Sequence, residues 1–126
     1  MKILVCGDRY WSNRAYLEGI LDGLHKEYGP YTIIEGEARG ADRMAGDFGM
    51  KRGLPVEPYP AEWNTYGRSA GPIRNAKMLK EGKPDLVVAF HNHIGQSKGT
   101  RHMLEIAHKA GVSVMLFTEN GRAALV

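Results

Sequence analysis

The sequence predicts an α/β domain built on a doubly wound parallel sheet of five strands. Short apolar runs alternate with segments whose apolar residues recur at helical spacing, the pattern of strands joined by crossover helices. The third run contains two prolines and belongs at a sheet edge, because proline cannot donate to a ladder. The fourth run shows little alternation, which is typical of a strand buried on both faces. These observations favour the strand order 3-2-1-4-5.

The first half of the chain contains two strand-helix units and a third strand. Residues 3–6 predict the first strand, and apolar residues over 17–28 predict a helix capped by Ser12 or Asn13. Residues 31–35 predict the second strand, and the stripe over residues 41–48 predicts a helix that ends near Gly53. Residues 54–59, with Pro55 and Pro58, predict the third strand.

The second half continues the alternation. Gly71-Pro72 predicts the start of the third helix, because proline suits a first turn whose free N–H groups can face a ligand. Residues 85–90 predict the fourth strand. A fourth helix opens at Gly99 and Thr100 with further free N–H groups for a phosphate, and Gly111 stops it. Residues 112–117 predict the fifth strand.

Length and composition indicate one cytoplasmic domain. Of the 126 residues, we assign 1–118 to the domain and 119–126 to a C-terminal tail. Hydrophobic content of 43% and charged content of 25% are typical of globular proteins. No apolar run approaches the about 20 residues that span a membrane, so no membrane partner is expected. The net charge of +3 permits an anionic ligand without requiring DNA.

Glycine-rich and basic segments converge on one edge of the predicted sheet. The strand order reverses between the first and fourth strands, and ligands bind beyond the carboxyl ends of strands at such a switch point. Guanidinium groups there would bind phosphate or carboxylate through paired hydrogen bonds. The candidate ligand-binding residues are Gly7, Asp8, Arg9, Gly36, Glu37, Arg39, Gly40, Asp42, Trp63, Arg68, Arg74, Asn75, Lys98, Gly99 and Thr100.

Several common sites are not indicated. The first turn lacks the GxGxxG of dinucleotide-binding domains, and no GxxxxGK[ST] phosphate loop occurs. The single Cys6 excludes an internal disulfide and is interpreted as a small buried hydrophobe. His91 and His93 have no Cys or carboxylate at metal-site spacing beside them, so we interpret their loop as ligand-facing and expect no metal or cofactor.

Three segments resemble a known family. After the opening VCGDR, the segments EARGADRMA, WNTYGRSAGPIRNAKML and SKGTRHMLEIAHKAGV are similar to the YspA/YpsA-related branch of the SLOG superfamily. The resemblance covers residues 2–117. This group shares its fold with LOG-type cytokinin-activating proteins and with the Rossmann part of DprA. The resemblance implies a Rossmann-like domain that binds a nucleotide-derived ligand as a homodimer or higher homo-oligomer.

One departure from the LOG-like pattern bears on catalysis. LOG-like enzymes have a GGxGTxxE turn, which supplies phosphate-binding backbone and a catalytic glutamate, and an RKxxM segment, which supplies an arginine. Residues 98–100 match the middle of the turn, and residues 74–78 match the segment with Asn75 in place of Lys. Met103 stands at the glutamate position. A methionine cannot stabilise the positive charge that builds on the sugar during N-ribosidic cleavage.

Three hypotheses of function follow, and whether the protein is an enzyme stays open. The preferred one is binding or sensing of a small nucleotide-derived ligand, such as a mononucleotide or an ADP-ribose-like molecule. An alternative is a LOG-like nucleotide N-glycoside hydrolase that uses a substitute carboxylate. A further alternative is DprA-like binding of single-stranded nucleic acid, in which Trp63 and Tyr66 stack on bases instead of packing under their loop. The candidate substitute carboxylates are Glu35, Glu37, Asp42 and Asp8.

Overall fold

The protein is described by a computed structural model that covers residues 1–124. Strands and helices alternate along the chain, as the sequence predicts. In chain order the elements are β1 (Lys2–Gly7), α1 (Arg14–Tyr28), β2 (Thr32–Glu35), α2 (Ala41–Arg52), β3 (Val56–Pro58), α3 (Trp63–Tyr66), a 3-10 turn (Gly67–Ser69), α4 (Ala70–Gly82), β4 (Leu86–Phe90), a 3-10 turn (Ile94–Gln96), α5 (Gly99–Lys109), β5 (Ser113–Thr118) and β6 (Gly121–Ala123).

The sheet has six strands, in the order β3-β2-β1-β4-β5-β6. The predicted order 3-2-1-4-5 is confirmed for the first five, which are parallel, and the predicted count of five strands is wrong. The sixth strand returns antiparallel to β5 after a two-residue turn at Glu119-Asn120, and Gly121, the first residue of β6, has a φ of 121°. Residues 119–123 of the predicted tail therefore form this turn and strand, and residues 125 and 126 lie outside the described residues.

The proline-containing strand β3 lies at an edge of the sheet, as predicted. It is shorter than expected and pairs with β2 alone among the described strands. The Ile33 N–H donates to the Pro55 carbonyl at 2.8 Å, and the Tyr59 N–H donates to the Glu35 carbonyl at 2.8 Å. The second of these bonds lies at the last residue of β2, directly before the loop that follows it.

Helices cover both faces of the sheet. Leu17 and Leu21 of α1 and Phe48 of α2 are fully buried on one face, and Met78 of α4 and Met103 of α5 are buried on the other. Strand β4 is buried along its whole length, which explains its lack of polar alternation. No helix within residues 1–124 is long and apolar enough to cross a membrane.

The start of α4 differs from the prediction. The helix begins at Ala70, and it continues directly from α3 and the 3-10 turn, with the Ala70 N–H donating to the Gly67 carbonyl. Pro72 still occupies the first turn. Because helical backbone precedes the first turn of α4, this turn is not the free N-terminus of a helix. The prediction that its N–H groups are free to face an anion at Gly71-Pro72 is therefore wrong.

Candidate functional site

A cleft of about 710 Å³ lies at the carboxyl-end edge of the sheet, where the strand order reverses between β1 and β4. The loops after β1, β2 and β4 line it together with α4 and the start of α5. The predicted site residues that line the cleft are Gly7, Asp8, Arg9, Asp42, Trp63, Arg74, Asn75, Lys98, Gly99 and Thr100. Lining residues outside that set are Cys6, Tyr10, Ala38, Met78, His91, His93, Gln96, Ser97 and Met103.

Five predicted site residues do not line the cleft. Gly36 is buried behind it, and Gly40 shapes the loop after β2. Glu37 and Arg39 of the same loop are exposed, and Arg68 is exposed in the 3-10 turn before α4. The backbone at Glu37 is left-handed, with a φ of 58°, and its side chain lines the separate groove between α2 and β3.

Backbone contacts hold the three loops together. The Asp8 N–H donates to the Phe90 carbonyl at 2.9 Å, which joins the loop after β1 to the end of β4. The Ala41 N–H donates to the Asp8 carbonyl at 3.2 Å, which joins it to the start of α2. A Cβ at Gly40 would collide with the Asp8 carbonyl and with Arg9, and its φ is 76°. Glycine is therefore required for this close approach.

Arg74 crosses from α4 to the loop after β2. Its Nε donates to Asn75 Oδ1 at 2.9 Å, and its Nη1 donates to the Gly36 carbonyl at 2.6 Å. These bonds hold the half-buried side chain in one orientation, and its Nη2 has no hydrogen-bond partner within residues 1–124. A guanidinium group fixed in this way has donors left for a ligand in the cleft.

Asn75 joins α4 to the start of α5. Its Nδ2 donates to the Gly99 carbonyl at 3.2 Å and lies 3.2 Å from His102 Nδ1, while its Oδ1 accepts from Arg74. The side chain is only 4% exposed. Because both polar ends of the amide are occupied, Asn75 positions Arg74 and the loop before α5, although it also forms part of the cleft wall.

The start of α5 is partly capped from within the chain. The Ser97 hydroxyl oxygen accepts from the Thr100 N–H at 3.1 Å and from the Arg101 N–H at 3.4 Å. The expectation that the Thr100 N–H is free is therefore corrected. The N–H groups of Lys98 and Gly99 have no partner in the part of the chain that the structure describes. They remain available where the positive end of the helix dipole meets the cleft.

Asp42 is a buried carboxylate at the cleft. It is 5% exposed, and its Oδ2 accepts from the Gly36 N–H at 3.2 Å and from the Ala38 N–H at 3.3 Å. Burial raises the pKa of Asp42 to about 6, against the opposing effects of the Arg74 charge and of these two N–H groups. Its Oδ1 makes no hydrogen bond with residues 1–124.

Glu35 is buried on the other side of the loop. It is 4% exposed, its Oε1 accepts from the Glu37 N–H at 2.6 Å, and it lines a separate groove of about 660 Å³ between α2 and β3. Burial raises the pKa of Glu35 to about 7, and the neighbouring charges of Asp42 and Glu37 add to the effect. Of the four candidate carboxylates, only Asp8 and Asp42 line the cleft.

The loop after β4 brings His91 and His93 to the cleft. The His93 N–H donates to His91 Nδ1 at 2.9 Å, and burial lowers the pKa of His91. Both effects favour a neutral ring with its proton on Nε2. Within residues 1–124, no group of three His, Cys, Asp or Glu side chains is arranged to hold a metal ion.

The loop aromatics divide into buried and exposed rings. Trp11 packs under its loop with its ring centroid 5.6 Å from that of Phe90. Trp63 is 59% exposed and lines the cleft, and Tyr66, which is 45% exposed, does not line it. Met103 is 1% exposed within the core cluster on its face of the sheet, so the residue at the LOG-like glutamate position packs in the core beneath the cleft.

The fold and the cleft define a Rossmann-like α/β domain with a candidate ligand site at its switch point. The chain belongs to the YspA, cpYpsA-related SLOG family, whose sequence profile matches residues 1–66. It is 36% identical over 122 residues to the Gene 61 protein of Mycobacterium phage D29, covering 92% of this chain and 95% of that protein.

The fold is also similar to a solved structure. DNA processing protein A (DprA) from Streptococcus pneumoniae superimposes with a TM-score of 0.71 at 19% sequence identity. The match covers 93% of this chain and 49% of the DprA chain, so this chain spans about half the length of DprA. At this level of identity the likeness concerns the fold.

Proposed function

We propose that the cleft binds a small nucleotide-derived ligand, a mononucleotide or an ADP-ribose-like molecule. The observation that carries the proposal is that one cleft combines anion donors with an exposed ring. Arg74 and the N–H groups of Lys98 and Gly99 supply the donors, and Trp63 supplies the ring. A phosphate suits the donors, and a base suits the ring.

The donors are held in place before any ligand arrives. Arg74 is fixed by Asn75 and Gly36, and Asn75 also bonds the Gly99 carbonyl. An anion that contacts Arg74 and the start of α5 therefore meets groups whose relative positions are already set. Preorganisation of this kind lowers the entropy cost of binding.

The experiment that tests the proposal has two stages. Native mass spectrometry of the purified protein identifies any small molecule that copurifies, without a prior choice of ligand. Calorimetric titration with AMP and with ADP-ribose then measures affinity directly. We expect saturable binding of at least one of these compounds with one site per chain. Heat signals no larger than those of buffer for both compounds would contradict the proposal.

A hydrolase is the second candidate, and the position of Asp42 favours it. A buried carboxylate that faces the cleft could stabilise a ribosyl cation in place of the missing glutamate. Release of free base from a bound nucleotide, followed by chromatography, tests this candidate.

Binding of single-stranded nucleic acid is the third candidate, because Arg9, Lys98 and Trp63 lie together at the exposed part of the cleft. Fluorescence anisotropy with a labelled oligonucleotide at two salt concentrations tests it, since phosphate contacts weaken as salt rises. The homo-oligomeric state and the cytoplasmic location stay predictions. Light scattering of the purified protein tests the first of them.

A further inference from the structure

The cleft has acceptor groups as well as donor groups. Asp8 is the first residue after β1, and Asp42 lies in the first turn of α2 next to Arg74. The start of α5 follows β4, on the other side of the switch point. The Ala41 N–H bonds the Asp8 carbonyl at 3.2 Å, so the two aspartates are held as neighbours through backbone contact. A phosphate is repelled by this pair, and a group that donates hydrogen bonds is attracted.

Each aspartate has one carboxylate oxygen that makes no hydrogen bond with residues 1–124. Asp8 Oδ1 accepts from the Tyr10 N–H at 2.9 Å, which leaves Oδ2. Asp42 Oδ2 accepts from Gly36 and Ala38, which leaves Oδ1. The side chain of Asp42 is only 5% exposed, but within residues 1–124 no fully buried side-chain oxygen lacks a hydrogen-bond partner, so Oδ1 is accessible from the cleft that Asp42 lines. A hydroxyl group of a ligand in the cleft can donate to this oxygen.

We propose that Asp42, assisted by Asp8, accepts hydrogen bonds from the ribose hydroxyl groups of the ligand, and that the cleft therefore selects ribonucleotides over 2′-deoxyribonucleotides. This inference rests on the proposed function and names the sugar that the site requires. Asp42 Oδ1 and Asp8 Oδ2 supply two acceptors for the two adjacent hydroxyl groups of a ribose. The phosphate of the same molecule would then face Arg74 Nη2 and the N–H groups at the start of α5.

The test compares sugars on one protein. Among AMP, GMP, CMP and UMP, the nucleotide that binds most tightly in calorimetry is compared with its 2′-deoxy and 3′-deoxy forms. We expect the wild-type protein to bind the ribonucleotide at least about tenfold more tightly, as the loss of a hydrogen bond to a charged group predicts. In Asp42→Asn the ratio should fall to about twofold or less, because the amide can present an NH₂ donor where the carboxylate presented an acceptor.

Two controls separate recognition from a structural effect. Glu37→Gln changes an exposed carboxylate of the same loop outside the cleft, and it should keep the wild-type ratio. A merely structural role of Asp42 would weaken the ribonucleotide and the deoxyribonucleotide equally and leave the ratio unchanged, which would overturn the inference. If circular dichroism shows that Asp42→Asn does not fold, the test uses the ribo-to-deoxyribonucleotide affinity ratio of the wild type and of Asp8→Asn. A ratio that falls in Asp8→Asn supports the inference, and an unchanged ratio overturns it.

The outcomes also distinguish this inference from the proposed function. A wild-type protein that binds ribo- and deoxyribonucleotides within about twofold of each other keeps the proposed function and overturns the sugar selectivity. A wild-type protein that binds neither kind of nucleotide nor ADP-ribose overturns both.

Discussion

Arg74 Nη1 donates to the carbonyl oxygen of Gly36 at 2.6 Å and so joins helix α4 to the loop after β2. The two residues are 38 positions apart in the sequence. A Cβ built on Gly36 would lie 2.9 Å from the Arg74 Cζ and 2.9 Å from Asp42 Oδ2. The guanidinium group and the carboxylate therefore both depend on the absence of a side chain at position 36.

Removal of the guanidinium group should weaken ligand binding. We expect Arg74→Ala to lower the affinity for AMP or ADP-ribose by about 1–3 kcal/mol, because a charged hydrogen bond to the phosphate is lost. Calorimetry at constant salt measures the change. Arg68→Ala is the matched control, since Arg68 is an exposed arginine outside the cleft and its loss should leave the affinity unchanged. Equal affinity of the Arg74→Ala and wild-type proteins would place the anion site elsewhere.

A methyl group at position 36 should have a similar effect without removing any charge. Gly36→Ala would push Arg74 away from the Gly36 carbonyl, and we expect it to weaken nucleotide binding by about 1 kcal/mol or more, as the lost hydrogen bond predicts. Gly23→Ala on α1 is the control, because a Cβ there meets open space. Calorimetry should show unchanged affinity for the control. Wild-type affinity in Gly36→Ala would show that the position of Arg74 does not govern binding.

Glu35 should make the stability of the protein depend on pH. Its pKa in the folded state is raised from 4.5 to about 7. The folded protein therefore binds this proton more tightly than the unfolded chain does. As a result, the contribution of Glu35 to the free energy of unfolding is greatest below pH 4.5 and is lost as the pH rises toward 7. The loss is on the order of 3 kcal/mol for a shift of this size.

The variant that tests this effect is Glu35→Gln, which keeps an oxygen to accept from the Glu37 N–H. We expect its free energy of unfolding in urea to rise relative to that of the wild type as pH increases from 4.5 to 7. Glu62→Gln, which changes an exposed glutamate outside the loop after β2, should follow the wild-type profile. If the free energies of unfolding of the wild type and of Glu35→Gln change in parallel with pH, the predicted titration of buried Glu35 is wrong.

Much of the fold follows from the sequence because each strand carries its own signal. Pro55 and Pro58 place β3 at the edge, and the unbroken apolar run of β4 indicates burial on both faces. Strand β6 was missed because it has only three residues and little apolar character. The Asn120-Gly121 dipeptide is a turn signal that could have indicated a chain reversal here, although the two turn residues are Glu119 and Asn120.

The candidate site was predictable at the level of loops and less so at the level of side chains. The switch point follows from strand order, and it correctly brings the loops after β1, β2 and β4 together. The resemblance to the RKxxM segment distinguishes Arg74 from Arg68, but both are candidates in the sequence. The unpredicted 3-10 turn leaves Arg68 exposed outside the cleft, whereas Arg74 on α4 lines it. The Asn75 amide likewise bonds the Gly99 carbonyl at the start of α5, and no local sequence pattern predicts this contact between the two helices.

The burial of Met103 leads to the prediction that separates a binding protein from an enzyme. Met103 is 1% exposed in the core, so the position offers no carboxylate to a sugar, and we expect no appreciable release of free base from AMP where binding is measurable. Met103→Glu tests the same logic, and circular dichroism must accompany it because a buried carboxylate can unfold the helix instead of restoring activity. Release of base by the wild-type protein at about 1 per second or faster would contradict the prediction. Asp42→Asn and Asp8→Asn would then identify the carboxylate responsible, since of the candidates these two line the cleft and Glu35 and Glu37 lie outside it.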